Sequence, residues 1–256
     1  MELRSAVVVG GGSGIGEAVA GSLAEGGYAV TVADLDADAA QRVAAGLGEP
    51  HRGAPADVTS EDSVAAVLDA VVAREGRLDV VVNCAGVSTI GLVTDLAVEE
   101  FRRVVDVDLT GGFVVLKHAG RLVRDGGSIV TIASLNARQP AAGMAAYCAA
   151  KAGLAMLVQV AALELGPRGV RVNAISPGLV ETPLTAPALE IPGILDDYLE
   201  NTPLGRAGAP ADVAALVRFV CSDEASWLTG AVLDLDGGAH LKRYPDLLGH
   251  IRKAFG

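Results

Sequence analysis

The chain is poor in cysteine. Three residues, Cys84, Cys148 and Cys221, stand among 256, with no CxxC and no metal-ligand spacing. An odd, sparse set argues against a disulfide framework and fits a reducing cytoplasm, where a lone thiol is a small buried hydrophobe. Clustered positive charge is also lacking. Twenty Lys and Arg face 31 Asp and Glu, for a net charge of −11. Phosphate backbones and anionic membrane surfaces are bound by grouped cations, so neither nucleic acid nor a membrane is expected as a partner. No run of 18 apolar residues escapes interruption by charge, which argues against a spanning segment. The start, "MELRSAVVVGGGSGIG", has no secretory signal pattern. Aromatic residues make up only 4%, yet 51% of the chain is hydrophobic and 20% charged, the balance of a globular protein. His51, His118, His240 and His250 are scattered and read as packing or surface residues, so no metal is implied.

What the chain does have is alternation. Short β-branched runs at 5–9, 29–33, 78–83, 128–133, 170–175 and 231–235, with a weaker candidate at 51–58, are separated by helical patterns. Ser60 is placed to cap the helix over 60–75, whose Val64, Val67, Leu68, Val71 and Val72 form one stripe. Helices are also predicted over 14–26, about 95–124 with a break near 108–112, and 144–166. Strand–helix–strand repetition means parallel pairing through right-handed crossovers, and unbroken apolar strands mean helices on both faces. The expected fold is α/β, a doubly wound, parallel seven-stranded Rossmann-type sheet in a single domain spanning 1–256. The stretch 182–210, with Pro183, Pro187, Pro192, Pro203 and Pro210, departs from the alternation and reads as a substrate loop. The tail 239–256 carries Leu247, Leu248, Ile251 and Phe255, able to pack on a neighbouring subunit or to wall the active site; disorder is the alternative.

The first strand runs into "VVVGGGSGIGEAVA". Gly10, Gly14 and Gly16 form GxxxGxG, with Gly12, Ser13 and Ile15 between them. A Walker A lysine is missing, since Glu17 follows Gly16, and GxGxxG spacing fails. Glycine lets backbone approach a ligand, and the free N–H groups of a helix start suit a pyrophosphate. Asp34 ends the second strand, next to Leu35. It can accept both ribose hydroxyls of an adenosine and would repel a 2′-phosphate, which reads as NAD over NADP; an N-cap for the next helix is its plainer use. Asp57-Val58 and Asn83-Cys84-Ala85-Gly86 fall at the carboxyl ends of further strands, where open α/β sheets bind ligands.

In "AAYCAAKAG", Tyr147 and Lys151 are four residues apart, hence on one helix face. A neighbouring ammonium favours phenolate. Taken alone, YxxxK is most simply a rim tyrosine with a solvated lysine. Ser134, at the end of the fifth strand, lies thirteen residues before Tyr147. These motifs, with "RVNAISPG" (171–178), "ETP" (181–183) and "PADVAALVRFVCSDEASWLTGAVLDLDGG" (210–238), resemble the short-chain dehydrogenase/reductase family over almost the whole chain. The resemblance implies nicotinamide-linked interconversion of a secondary alcohol and a ketone, with NAD as the coenzyme on the reading of Asp34. It gives the proton to Tyr147, the nicotinamide ribose to Lys151 and the reacting oxygen to Ser134. It implies cofactor contacts from Pro177, Gly178, Val180 and Thr182, and structural roles for Asn173 and Asp236-Gly237-Gly238. It also implies a homo-oligomer, tetramer or dimer, built on the helices near 110–124 and 147–166.

Two positions depart from the family. Val9 stands where a loop-supporting threonine is usual, and Asp108 where an asparagine holds a water near the lysine. Asp108 is carried as a site residue, expected to stabilise a charged lysine if close. Substrate contacts are expected from Val87, Ile90 and Leu92; from Leu135 and Met144; and from Leu179, Leu184, Leu189, Ile191, Ile194 and Leu195. That set suggests a fairly apolar substrate, a steroid-like or terpenoid alcohol or a 3-oxoacyl thioester. A dinucleotide-binding sensor or scaffold is the alternative function.

Overall fold

The computed structural model describes residues 3–255. Seven parallel strands form one sheet in the order β3-β2-β1-β4-β5-β6-β7. They are β1 (Arg4–Val9), β2 (Tyr28–Asp34), β3 (Arg52–Pro55), β4 (Val80–Asn83), β5 (Ser128–Ile132), β6 (Arg171–Pro177) and β7 (Val232–Leu235). Side chains alternate across a strand, and both faces of this sheet are apolar. Val7 and Val9 join one core with Val81, Ile129 and Val172. Ala6 and Val8 join the other with Val32, Val82, Val130 and Ile175. Helices α3 (Glu61–Glu75), α5 (Gly111–Leu122) and α6 (Ala145–Leu165) cover the first through Leu68, Val115 and Val158. Helices α1 (Gly14–Glu25), α2 (Ala37–Leu47) and α9 (Pro210–Cys221) cover the second through Leu23, Val43 and Val217.

Strand order reverses between β1 and β4, both of which feed crossovers to opposite sides. The crevice at their carboxyl ends is therefore open to a ligand. Ser60 caps α3 as expected, accepting from Ser63 N. The helical region at 95–124 is not broken. Helix α4 (Val98–Val105) continues through a π-helical turn, Asp106–Thr110, into α5. The extra residue of a π turn re-aims the side chains within it, and such turns gather at functional sites. Gly111, just after the turn, lets it pack against Val58, because a Cβ there would sit 2.8 Å from Val58 Cγ2.

Helix α6 is long and apolar enough, by length and composition, to cross a membrane. Here one face (Ala146, Ala150, Leu154, Val158, Ala162) is buried, while Met156 and Leu163 are exposed. Asn173 ties β6 to the approach to β7, donating to Leu228 O at 2.8 Å and accepting from Ala231 N at 3.0 Å. Asp236 accepts from Gly238 N and His240 N, both at 2.9 Å, and so shapes the terminal turn.

The proline-rich stretch holds two short helices, α7 (Ala186–Leu189) and α8 (Ile194–Glu200). Through residue 255 the tail folds on its own chain, ending in α10 (Leu247–Phe255). Leu247 enters a satellite core with Met144, Ile194 and Ile251, over the carboxyl edge of the sheet.

Candidate active site

A cleft of about 340 Å³ lies over the β1–β4 crevice. It is lined by Gly10, Ser13, Gly14, Ile15 and Gly16, and beyond them by Asp34 and Leu35. Asp57, Val58, Ala85 and Gly86 form its other wall, with Thr182 above. Val9 makes no side-chain bond to the loop. Instead the backbone anchors it: Gly10 N and Gly11 N both donate to Ala33 O, at 2.8 and 3.1 Å. Gly10 has φ +72, and a Cβ on Gly16 would overlap the carbonyl oxygen of Gly10. Ser13 is the N-cap of α1 but makes no side-chain cap bond. The first-turn N–H groups are thus unclaimed by a side chain and face the cleft, a setting that fits a pyrophosphate.

Asp34 is not a helix cap. Asp36 caps α2, accepting from Asp38 N and Ala39 N at 3.0 Å. Asp34 instead accepts from Gly12 N at 2.8 Å and Asp36 N at 3.0 Å, which fixes its carboxylate at the end of the cleft. A positive charge does stand nearby: Arg42 of α2 donates to Gly12 O at 2.8 Å and pairs with Glu17 at 3.4 Å. Nothing local to the glycine motif signals Arg42; its helix brings it back over the loop. Gly12 therefore braces Asp34 rather than lining the cleft. Asn83 is buried and accepts from Ala85 N at 3.2 Å, shaping the opposite turn. Val180 is buried and bridges to Gly208, supporting the segment that carries Thr182.

Ser134, Tyr147 and Lys151 converge at the inner end. Ser134 follows β5 and caps a 3-10 turn, its Oγ accepting from Asn136 N at 3.1 Å. Tyr147 and Lys151 share a face of α6, with Nζ 5.5 Å from the ring centroid. The ammonium is buried, donates to Ile132 O at 3.2 Å and lies 3.3 Å from Asp108 Oδ2. It sits directly under Gly86, where a Cβ would be 3.1 Å from Nζ. The π turn delivers Asp108: its Oδ1 accepts from Val87 N at 2.8 Å, and Oδ2 makes an ion-pair contact without an aligned hydrogen bond. Burial opposes the Lys151 charge, but Asp108 and then Tyr147 outweigh it and hold its pKa above the usual lysine value. Burial also raises Asp108, more than Lys151 pulls it down.

Ser134 and Tyr147 open onto a second cavity, of about 400 Å³. Pro177 and Gly178 form part of its wall. Of the substrate contacts expected from sequence, Ile90, Leu135, Met144, Leu184, Leu189 and Ile191 line it, as does Leu179. Val87 faces the nucleotide cleft instead, and Ile194 points into the satellite core. Leu92 and Leu195 lie outside the cavity wall. Sequence reasoning missed the polar side, Asn136, Tyr198 and Tyr244. The last comes from the tail, which walls its own chain's cavity. Among the described residues no cluster of His, Cys, Asp and Glu is arranged to hold a metal.

The same architecture recurs in known proteins. The family model described as enoyl-(acyl carrier protein) reductase matches residues 10–240. The chain is 42% identical to cis-4-hydroxycyclohexanecarboxylate dehydrogenase of Sinomonas cyclohexanicum, over 92% of this chain and 96% of that one. It is 38% identical to an uncharacterized short-chain type dehydrogenase/reductase of Sinorhizobium fredii, covering 92% of this chain but only 43% of that longer protein. A solved short-chain type dehydrogenase/reductase from Mycobacterium ulcerans superposes with a TM-score of 0.95 at 41% identity, covering 99% and 95% of the two chains. The chain belongs to the short-chain dehydrogenase/reductase family, and is an oxidoreductase of the class acting on CH–OH groups.

Proposed function

We propose that the protein is an NAD(H)-dependent oxidoreductase interconverting a secondary alcohol and a ketone on a largely apolar substrate. One observation carries the reading. Ser134 and Tyr147 face an apolar cavity, while the buried Lys151 ammonium lies between Tyr147 and the floor of the nucleotide cleft. NAD, when bound, supplies the hydride acceptor, held by the α1 N-terminus, Asp34, Asp57-Val58, the 83–86 turn and the 177–182 segment. Tyr147 takes the alcohol proton in oxidation and returns it in reduction. Ser134 fixes the reacting oxygen with a preorganised dipole. Lys151 stabilises negative charge on Tyr147 at close range in a site of low dielectric.

The cavity suits a ring or chain alcohol rather than a polyanion. The Sinomonas relative's name, a ring alcohol bearing a carboxylate, is compatible with that volume. The test is a panel of cyclohexanol, 4-hydroxycyclohexanecarboxylate, a hydroxysteroid and a 3-hydroxyacyl thioester, each with NAD and with NADP, read by reduced-nicotinamide absorbance. Tight NAD binding with no turnover of any of the four would favour the alternative, a dinucleotide-binding sensor or scaffold. That alternative is motivated by the carboxylate held against Lys151.

Coenzyme choice follows from Asp34. Like charges brought together cost several kcal/mol, so NAD is expected over NADP by on the order of a hundredfold in kcat/KM. In Asp34→Ala most of that preference disappears, helped by Arg42, which already reaches the loop. An unchanged coenzyme ratio would show that Asp34 does not set it. The exposed Phe113, Met156 and Leu163 on α5 and α6 support association into a dimer or tetramer through these helices. Light scattering of the purified protein is expected to give at least a dimer; a monomer would remove that proposal.

A further inference from the structure

The tail does more than wall the cavity. Asp197 of α8 holds it: the carboxylate accepts from Arg243 Nη2 at 2.6 Å and Asp246 N at 2.8 Å, with His250 Nε2 at 3.2 Å. Between those anchors Tyr244 turns inward. Its hydroxyl lies 2.8 Å from the Tyr198 hydroxyl and 3.3 Å from Asn136 Oδ1, and the two rings meet edge-on. Asn136 Nδ2 donates to Gln139 O at 3.1 Å, which fixes the amide with Oδ1 toward Tyr244. That same Oδ1 is 3.4 Å from Ser134 Oγ.

The donor and acceptor count then limits where the serine proton goes. Ser134 Oγ already accepts from Asn136 N, and it has one proton to donate. Asn136 Oδ1 and a substrate oxygen compete for that proton. If Tyr198 donates to Tyr244, then Tyr244 directs its own proton to Asn136 Oδ1, the alternative acceptor being the softer Met144 Sδ at 3.7 Å. We propose that Tyr244 is a positioning residue, which takes one of the two lone pairs of the Asn136 side-chain oxygen, weakens that oxygen's hold on the Ser134 proton and so favours its donation to the reacting oxygen. Burial raises both phenols, Tyr244 and Tyr198, so each remains a donor through the working pH range. This inference rests on the role of Ser134 given above.

Tyr244→Phe removes one oxygen and keeps the ring in the satellite core. With the fastest alcohol of the four-member panel as reporter, kcat is expected to fall about tenfold with KM nearly unchanged. In a Ser134→Ala background the same change is expected to cost less than about twofold, because the two residues act as a unit. An equal loss in both backgrounds would overturn the proposal, as would a Tyr244→Phe enzyme of full speed. A Ser134→Ala enzyme of full speed is a different result: it defeats the role of Ser134 and the inference with it. Crystal structures of wild type and Tyr244→Phe supply an arm independent of turnover. In the variant, Ser134 Oγ is expected to close on Asn136 Oδ1 to about 2.8 Å. A separation that stays as in the wild type contradicts the competition on which the inference depends.

Discussion

Tyr147→Phe is expected to lower kcat about a thousandfold, the middle of the range for loss of a positioned general acid–base. NADH affinity is expected to stay within about twofold, because the ring remains and only one oxygen leaves. The substitution isolates the chemistry well. Tyr147 lines the cavity wall beside Ser134, and no side chain among the described residues hydrogen-bonds its hydroxyl. Its fold contribution is therefore the ring, which packs in the satellite core and stands 5.5 Å from the Lys151 ammonium. Steady-state rates on a panel alcohol, with NADH binding followed by fluorescence, separate the two effects. Ser134→Ala should cost less, since it removes a dipole and not the proton acceptor. If Tyr147→Phe kept its rate, the proton would have to travel by another group, and the present assignment of the site would fail.

The parts of the molecule that sequence made legible are those set by local pattern. Val7 and Val9 against Ala6 and Val8 announce a strand buried on both faces, and the sheet has two cores for that reason. Ser60 with a following apolar stripe announces a capped helix, and that cap is present. Ser134, Tyr147 and Lys151 stand out through the resemblance to the short-chain dehydrogenase/reductase family, which the order and spacing of the motifs carry, and the fold brings them together. What was not legible depends on tertiary closure. Asp34 and Asp36 are both plausible caps, and only the approach of Gly12 N decides which carboxylate turns to the loop. The kink at 108–112 was foreseen as a break. It is a π turn over Asp106–Thr110 within a continuous helix, followed by Gly111 and Gly112, which let Val58 and Leu154 pack close. The tail's apolar residues gave no sign of which surface they cover. The deciding group, Asp197, lies in the middle of the proline-rich stretch and has no motif around it.

Lys151→Met is expected to slow the protein at least a hundredfold, because the cation beside Tyr147 is lost, and to destabilise it by about 3–5 kcal/mol at neutral pH, because it strands a buried carboxylate. Asp108 is almost wholly buried, and Lys151 is its ion-pair partner at 3.3 Å. Burial already raises the Asp108 carboxyl above its ordinary value of 3.8, and Lys151 is the main influence lowering it. Removing the lysine leaves burial dominant, so the folded-state value climbs further. The sign of the pH dependence follows. Below the ordinary value both folded and unfolded chains carry the proton, and the penalty is small. As pH rises through the window between the ordinary and the raised folded value, the unfolded chain releases its proton first, and stability falls. The variant should therefore recover toward wild type in acid, as measured by urea unfolding across pH. Adding Asp108→Asn removes the charge while leaving an oxygen to accept from Val87 N. The double variant is expected to regain most of the lost stability and to lose the pH slope, but not to regain activity. A single variant as stable as wild type at neutral pH would mean that Asp108 is already protonated beside the lysine. A double variant no more stable than the single would mean that the buried charge was never the cost. The two measurements together decide whether this aspartate serves as a counter-ion to the lysine or merely fills the π turn.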